Sequence, residues 1–221
     1  MRVLVACEYS ATVRDAFRAR GHDAWSADLL PTEGDPRWHI QDDVLHVLSD
    51  ARWDLMIAHP PCTFLTYAGA KHLYVGGRKE NGRDPMRWES MSDGALFFRA
   101  LLRAPIPRIA VENPIMLAEA RKIVGSRADQ IIQPWQFGHP ESKRTGLWLR
   151  GLPHLVPTHD LEAEMMALPA KDRNRVHYMA PGPDRWRERS RTYAGIATAM
   201  ADQWGAEHRR LHQAPLFGDA A

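Results

Sequence analysis

The sequence predicts an α/β fold, a mostly parallel sheet with helices on both faces. Three observations predict it. Short apolar runs at 3–6, 24–27, 55–58 and 108–112 show no polar alternation, as strands covered on both faces do. Between them lie stretches with helical apolar spacing: Val13, Ala16 and Phe17 in the first, Met91, Ala95, Phe98 and Leu102 in a later one. Two of the runs also end abruptly on reactive side chains. Leu55-Met56-Ile57-Ala58 stops at His59-Pro60-Pro61-Cys62, where two prolines forbid both helix and ladder pairing. Ile109-Ala110-Val111 stops at Glu112-Asn113-Pro114. Open α/β sheets build their sites at such carboxyl ends, and neighbouring parallel strands would bring Cys62 and Glu112 to one edge.

The 221 residues suit one domain, expected over 1–205, with a tail at 206–221. A net charge of +2 gives no global basic field, though clustered arginines could still form a local phosphate-binding face. Two cysteines, Cys7 and Cys62, exclude a disulfide scaffold and suit a reducing compartment. No signal peptide, membrane span, internal repeat, zinc-type Cys/His spacing or Walker loop is visible, so a soluble cytoplasmic protein without a metal site is expected.

In chain order, a first strand and a turn at 7–12 lead into a helix through Arg20, ended by Gly21. The second strand closes on Asp28. This layout suits an adenosine-containing cofactor, with the turn for one end and a carboxylate for ribose hydroxyls. The turn lacks the glycines usual there, so an ordinary strand–helix turn stays open. Asp42 or Asp43 would cap a short helix. Residues 63–85 hold Gly69, Gly76, Gly77 and Gly82 among Lys71, His72, Arg78, Lys79 and Arg83. Such a segment is not expected to pack as core; it is a disordered insertion or a lid beside Cys62. A helix from Asp84-Pro85 through Ala104, a strand at 108–112, a helix at 115–124 ended by Gly125, a strand at 130–133 and a polar turn entering a strand near 145–149 follow. Residues 151–188 are rich in Pro, Arg and His with little periodicity. They form a substrate grip using Arg173, Arg175, Arg185 and Arg187, or a surface excursion. A closing helix follows Thr192.

Pro60-Pro61-Cys62 followed some fifty residues on by Glu112-Asn113 resembles the DNA cytosine-5 methyltransferase family, from the first strand to about residue 205. The resemblance implies a Rossmann-like, S-adenosylmethionine-dependent methyltransferase acting on DNA. It would be a minimal, phage-like member, since 151–188 is far shorter than an ordinary target-recognition domain. It implies Cys62 and Glu112 as the catalytic pair, with Lys143 or Arg144 holding the cytosine's ring oxygen. S-adenosylmethionine would meet Glu8, Tyr9, Ser10 and Ala11 in the first turn, Asp28 and Leu29 after the second strand, and Asp43, which a helix cap alone would also explain. Pro60, Thr192, Gly195 and Ile196 would complete its pocket. Thr63, Lys71, Arg78, Lys79, Arg83 and Asn113 would meet the substrate. The first turn departs from the family's glycine pattern, which leaves room for a modified donor. The acceptor is expected to be duplex DNA with a flipped base, a single strand, or a free cytidine nucleotide. A non-catalytic DNA-binding protein is the rival from another class. Near the end, Gln213, Leu216 and Phe217 resemble the short peptide that docks on the bacterial sliding clamp.

The chemistry accounts for these residue types. Carbon 5 of cytosine is a weak nucleophile until a thiolate adds at carbon 6, which calls for Cys62. The charge that then develops at ring nitrogen 3 calls for an acid, and a sheltered Glu112 would be expected to have a raised pKa.

Overall fold

The structure is a computed structural model that describes residues 1–50, 52–182 and 185–212, without the side chains of 50, 68, 71 and 207–212. In chain order the elements are β1 (Arg2–Ala6), α1 (Thr12–Arg18), β2 (Asp23–Asp28), β3 (His39–Gln41), α2 (Val44–Asp50), β4 (Leu55–Ala58), α3 (Pro85–Leu102), β5 (Arg108–Pro114), α4 (Ala118–Val124), β6 (Gln130–Ile132) and β7 (Thr145–Arg150). Four short helices, α5 (Glu162–Ala167), α6 (Ala170–Arg173), α7 (Arg175–Tyr178) and α8 (Arg185–Ser190), precede the long α9 (Ala194–His212).

The seven strands form one sheet in the order β3-β2-β1-β4-β5-β7-β6. All neighbours are parallel except those of β7, which runs antiparallel to both β5 and β6. This is the mostly parallel, Rossmann-like sheet expected from the sequence. The register places Ala6 beside Ala58 and Ala58 beside Val111. Strands β1 and β4 therefore end level, and β5 runs on to Pro114, paired there with β7.

Alternation sorts the strands between two layers. Leu4, Ala6, Met56, Ala58, Ile109 and Val111 pack under α2, α3 and α4. Val3, Val5, Leu55, Ile57 and Ala110 pack under α1 and α9. Helix α3 starts where expected: Asp84 accepts the Arg87 N–H at 3.0 Å and Pro85 takes the first position. Its buried stripe is Met91, Ala95, Phe98 and Leu101, with Leu101 in place of the expected Leu102. Helix α4 ends at Gly125, whose φ of 85° closes the helix in the left-handed region.

Two expectations need correction. Segment 63–85 does pack: Leu65 and Leu73 are buried in the core. Its short 3-10 turns are pinned to α3, because Trp88 Nε1 donates to the Leu73 carbonyl at 2.8 Å and Arg83 stacks on the Trp88 ring at 4.0 Å. The boundary at 205 falls inside α9, which continues to His212. The clamp-like residues Gln213, Leu216 and Phe217 lie outside the described residues. Among the described residues no helix is long and apolar enough to cross a membrane.

Helix α9 is anchored by Trp204, fully buried, with its Nε1 donating to the Pro153 carbonyl at 3.1 Å. Trp204→Ala should cost about 3–5 kcal/mol of unfolding free energy, read by denaturant titration, as the void and the orphaned carbonyl add to the lost transfer energy.

Candidate active site

The site is built where β4 and β5 end side by side. After Ala58 the chain makes one more ladder bond, the His59 N–H to the Ala6 carbonyl at 2.9 Å. The two prolines then turn it out of the sheet, and Cys62 follows, half-buried. In β5, Glu112 lies one position beyond the Ala58–Val111 pair. His59 and Glu112 consequently face each other, Nδ1 to Oε2, at 2.8 Å. Their side chains are only 9% and 11% exposed. Sequence reasoning passed over His59. The signal was its place directly after β4, level with Glu112.

The pair sets the local electrostatics. Burial alone would push the Glu112 carboxyl up, but the His59 hydrogen bond and the charges of Lys143 and His59 hold it below the usual carboxylate range. Burial would likewise discharge His59, but its bond to Glu112, with the charges of Glu112 and Glu8, raises it above an ordinary imidazole. The expected upward shift of Glu112 is thus reversed, because the acid has a cationic partner within hydrogen-bond distance. Burial raises the Cys62 thiol, and Glu112 raises it further, while Lys143 and Arg189 pull it down.

Of the two basic residues, the structure brings Lys143 to the site and leaves Arg144 exposed. Lys143 Nζ donates to the carbonyls of Arg189 and Arg191 at 2.9 and 3.3 Å. It lines a small cleft with Glu112, Thr145, Thr192, Tyr193 and Ile196. Thr192 and Ile196 therefore stand beside the acid. Gly195 serves packing instead: a Cβ there would lie 1.8 Å from the Phe137 carbonyl oxygen. Asn113 is fully buried on the face opposite Glu112, its Nδ2 donating to the Pro114 carbonyl, so it cannot meet substrate from there. The period-2 alternation of the strand sends it away from its neighbour.

The turn after β1 explains the missing glycines. Cys7 and Ala11 adopt φ of 58° and 62°, left-handed conformations that a side chain occupies at a cost of about 1–2 kcal/mol each. Ala11 has no side chain with which to cap α1. Glu8 does so in its place, its carboxylate accepting the N–H groups of Val13 and Arg14 at 2.7 and 3.1 Å. Ser10 Oγ donates to Glu8 and to Thr12. Tyr9 Oη donates to the Arg187 carbonyl at 3.0 Å and lies 3.1 Å from Ser190 Oγ. The side chains of Glu8, Tyr9 and Ser10, expected on the cofactor, are committed to internal bonds.

Asp28 lies half-buried at the end of β2, its Oδ1 accepting the Leu30 N–H at 2.9 Å. Burial raises its pKa. Asp43 caps α2 through the Leu45 N–H at 2.9 Å. Beside these acids Leu29 and Leu45 are 72% and 43% exposed. A carboxylate flanked by uncovered apolar surface, next to a left-handed turn, is a donor set that fits an adenosine. Pro60 is buried at the same edge.

On the other side of Cys62, Thr63, Arg78, Lys79 and Arg83 are exposed. Lys79 lies 5.7 Å from the Tyr74 ring centre and Arg87 stacks on Phe64 at 4.2 Å. Phe64, His72, Tyr74, Met86 and Arg87 border a surface cleft there. The side chain of Lys71 lies outside the description.

No family model and no curated protein matches the sequence. Solved structures similar to it include a prophage-encoded protein from E. coli described as a DNA modification methyltransferase, at 13% identity and a TM-score of 0.41, covering 77% of this chain and 56% of that one. The Entamoeba histolytica methyltransferase EhMeth matches at 14% identity and 0.42, covering 72% and 57%. The S. pombe Dnmt2 methyltransferase matches at 14% and 0.40, covering 93% and 66%. The chain spans less than two thirds of each of these structures. At such identities none of them assigns a reaction to it.

Gly195→Ala should lower thermal stability by at least about 2 kcal/mol, since relief requires moving backbone on both sides of the contact. Differential scanning calorimetry of the full chain reads this directly.

Proposed function

We propose that this chain transfers a methyl group from S-adenosylmethionine to carbon 5 of cytosine in DNA through a covalent Cys62 adduct. The observation that carries the proposal is the convergence of Cys62, Glu112 and Lys143 at one sheet edge, two strands from Asp28. Fold similarity to proteins named as methyltransferases agrees with it but does not choose the acceptor.

Asp28 would hold the ribose of the cofactor, and Leu29 and Leu45 would cover its adenine. S-adenosylmethionine supplies an electrophilic methyl group there. Everything else falls to the chain's own residues. Cys62, as thiolate, adds to carbon 6, forming the S–C6 bond and pushing the ring electron pair toward carbon 5 and nitrogen 3. The same repulsion from Glu112 that raises the resting thiol falls away once Glu112 is bonded to the ring. Glu112 protonates nitrogen 3, so that carbon 5 becomes enamine-like and nucleophilic. Lys143 is placed to meet the ring oxygen. After methylation the proton on carbon 5 leaves to water, the S–C6 bond breaks, and nitrogen 3 returns its proton.

Oligonucleotides containing 5-fluorocytosine test the proposal. Fluorine blocks the elimination, so wild-type protein with S-adenosylmethionine should give a covalent adduct that shifts on a denaturing gel and is absent in Cys62→Ala. No adduct on duplex, single strand or nucleotide would overturn it. On ordinary cytosine, Glu112→Gln should slow methylation by about 100-fold or more, in single-turnover assays at saturating cofactor.

A further inference from the structure

His59 is a buried titratable group that the proposed reaction does not yet use. Its Nδ1 lies 2.8 Å from Glu112 Oε2. Its Nε2 is buried and has no hydrogen-bond partner among the described residues. Three charged groups act on the ring: Glu112 from β5, Glu8 from the turn after β1, and Lys143 from the approach to β7. The two carboxylates favour the imidazolium, and Lys143 opposes it. With Nε2 buried and without a hydrogen-bond partner among the described residues, the bond from Nδ1 to Glu112 is what orients the ring.

We propose that His59 is the positioning and proton-supplying partner of Glu112: its Nδ1–H holds the carboxylate toward the ring and provides the proton that Glu112 delivers to nitrogen 3. The inference rests on the cytosine-5 reading above. When the S–C6 bond forms, the Nδ1 proton of His59 passes to the Glu112 carboxylate and Glu112 passes that proton on to nitrogen 3, leaving a neutral imidazole and a carboxylate. On elimination nitrogen 3 gives the proton back to Glu112, and Glu112 returns it to His59. No other reactant is consumed. Beside His59 the Glu112 carboxyl lies below the usual carboxylate range, so it reaches the ring without a proton of its own.

The sign of the pH dependence follows. The reaction needs Cys62 deprotonated and His59 protonated; a free thiol titrates above a free imidazole, burial raises the Cys62 thiol, and the bond to Glu112 raises His59 against burial. Below the His59 pKa the rate of adduct formation should rise tenfold per pH unit with the thiolate fraction. Above it, loss of the His59 proton offsets the gain in thiolate, and the rate should level off until Cys62 itself has titrated.

The test measures adduct formation with 5-fluorocytosine oligonucleotides against pH, for wild type and His59→Gln. Gln keeps an N–H donor for Glu112 but carries no exchangeable charge. Wild type should plateau once His59 has lost its proton, above the range of an ordinary imidazole. His59→Gln should be slower by about tenfold or more below the plateau and should keep rising with pH where wild type is flat. A wild-type profile that climbs without a plateau until Cys62 titrates, or two profiles of the same shape, overturns the inference while leaving the cytosine-5 reading intact. Absence of any adduct in wild type overturns both. A substrate-free measurement stands beside it: the His59 ring, followed by NMR in the full chain, should titrate at lower pH in Glu112→Gln than in wild type. An unmoved titration would show that the pair is not coupled, which also overturns the inference.

Discussion

A carboxylate and an imidazole, both about nine-tenths buried, sit 2.8 Å apart where two parallel strands end. Removing two such groups from water is costly, and their attraction in a low-dielectric setting must offset it. The arrangement holds only because β4 and β5 are locked in register, Ala58 against Val111, with apolar residues filling both faces below them. Loss of either partner would leave the other as an uncompensated buried group. The sheet register and the ionisation of the site are thus one constraint seen from two sides.

The same constraint reaches the turn after β1. Glu8 caps α1 because Ala11 cannot, and its buried charge also bears on His59. The strand–turn–helix unit that begins with β1 is therefore electrically joined to the His59–Glu112 pair on β4 and β5. Backbone strain at Cys7 and Ala11 is tolerated because that carboxylate fastens the turn to the helix directly behind it. Glycine would relieve the strain, but the chain holds the same shape by bonding where glycine would hold it by freedom.

Much of the fold was legible because buried strands and amphipathic helices leave periodic traces. Leu55-Met56-Ile57-Ala58 and the Met91, Ala95, Phe98 stripe needed no tertiary knowledge. Cys62 and Glu112 were legible because each lies beside a strand-ending signal, Cys62 after a proline pair and Glu112 shortly before Pro114. What escaped was pairwise. His59 has meaning only once β4 lies beside β5 in a known register. Asn113 looked like a partner of Glu112, and alternation sends it to the other face. Gly195 looked like a cofactor contact, and its reason is a carbonyl on a turn sixty residues earlier in sequence. The cations and aromatics of 63–85 looked unable to pack, yet paired as Arg83 on Trp88 and Arg87 on Phe64 they fold onto a helix.

Segment 151–188 tells what kind of substrate recognition the chain has room for. Reading base edges in a groove takes a rigid element with several uncommitted polar side chains. Most charged side chains of this segment are exposed, and a few tie it to the rest of the chain. Arg175 pairs with Glu141, whose other oxygen accepts from Tyr193 Oη at 2.8 Å. Arg173 Nη1 donates to the Met166 carbonyl, and its own carbonyl accepts the Ser142 N–H. The carbonyls of Arg189 and Arg191 hold Lys143. The segment acts as a brace that ties the turn before β7 to α8 and α9, and through them keeps Lys143 beside Glu112. Arg78, Lys79 and Arg83, in the segment after Cys62, are exposed. Under the reading proposed above, a site assembled this way would grip a backbone and a single base and leave the choice of neighbouring sequence largely open.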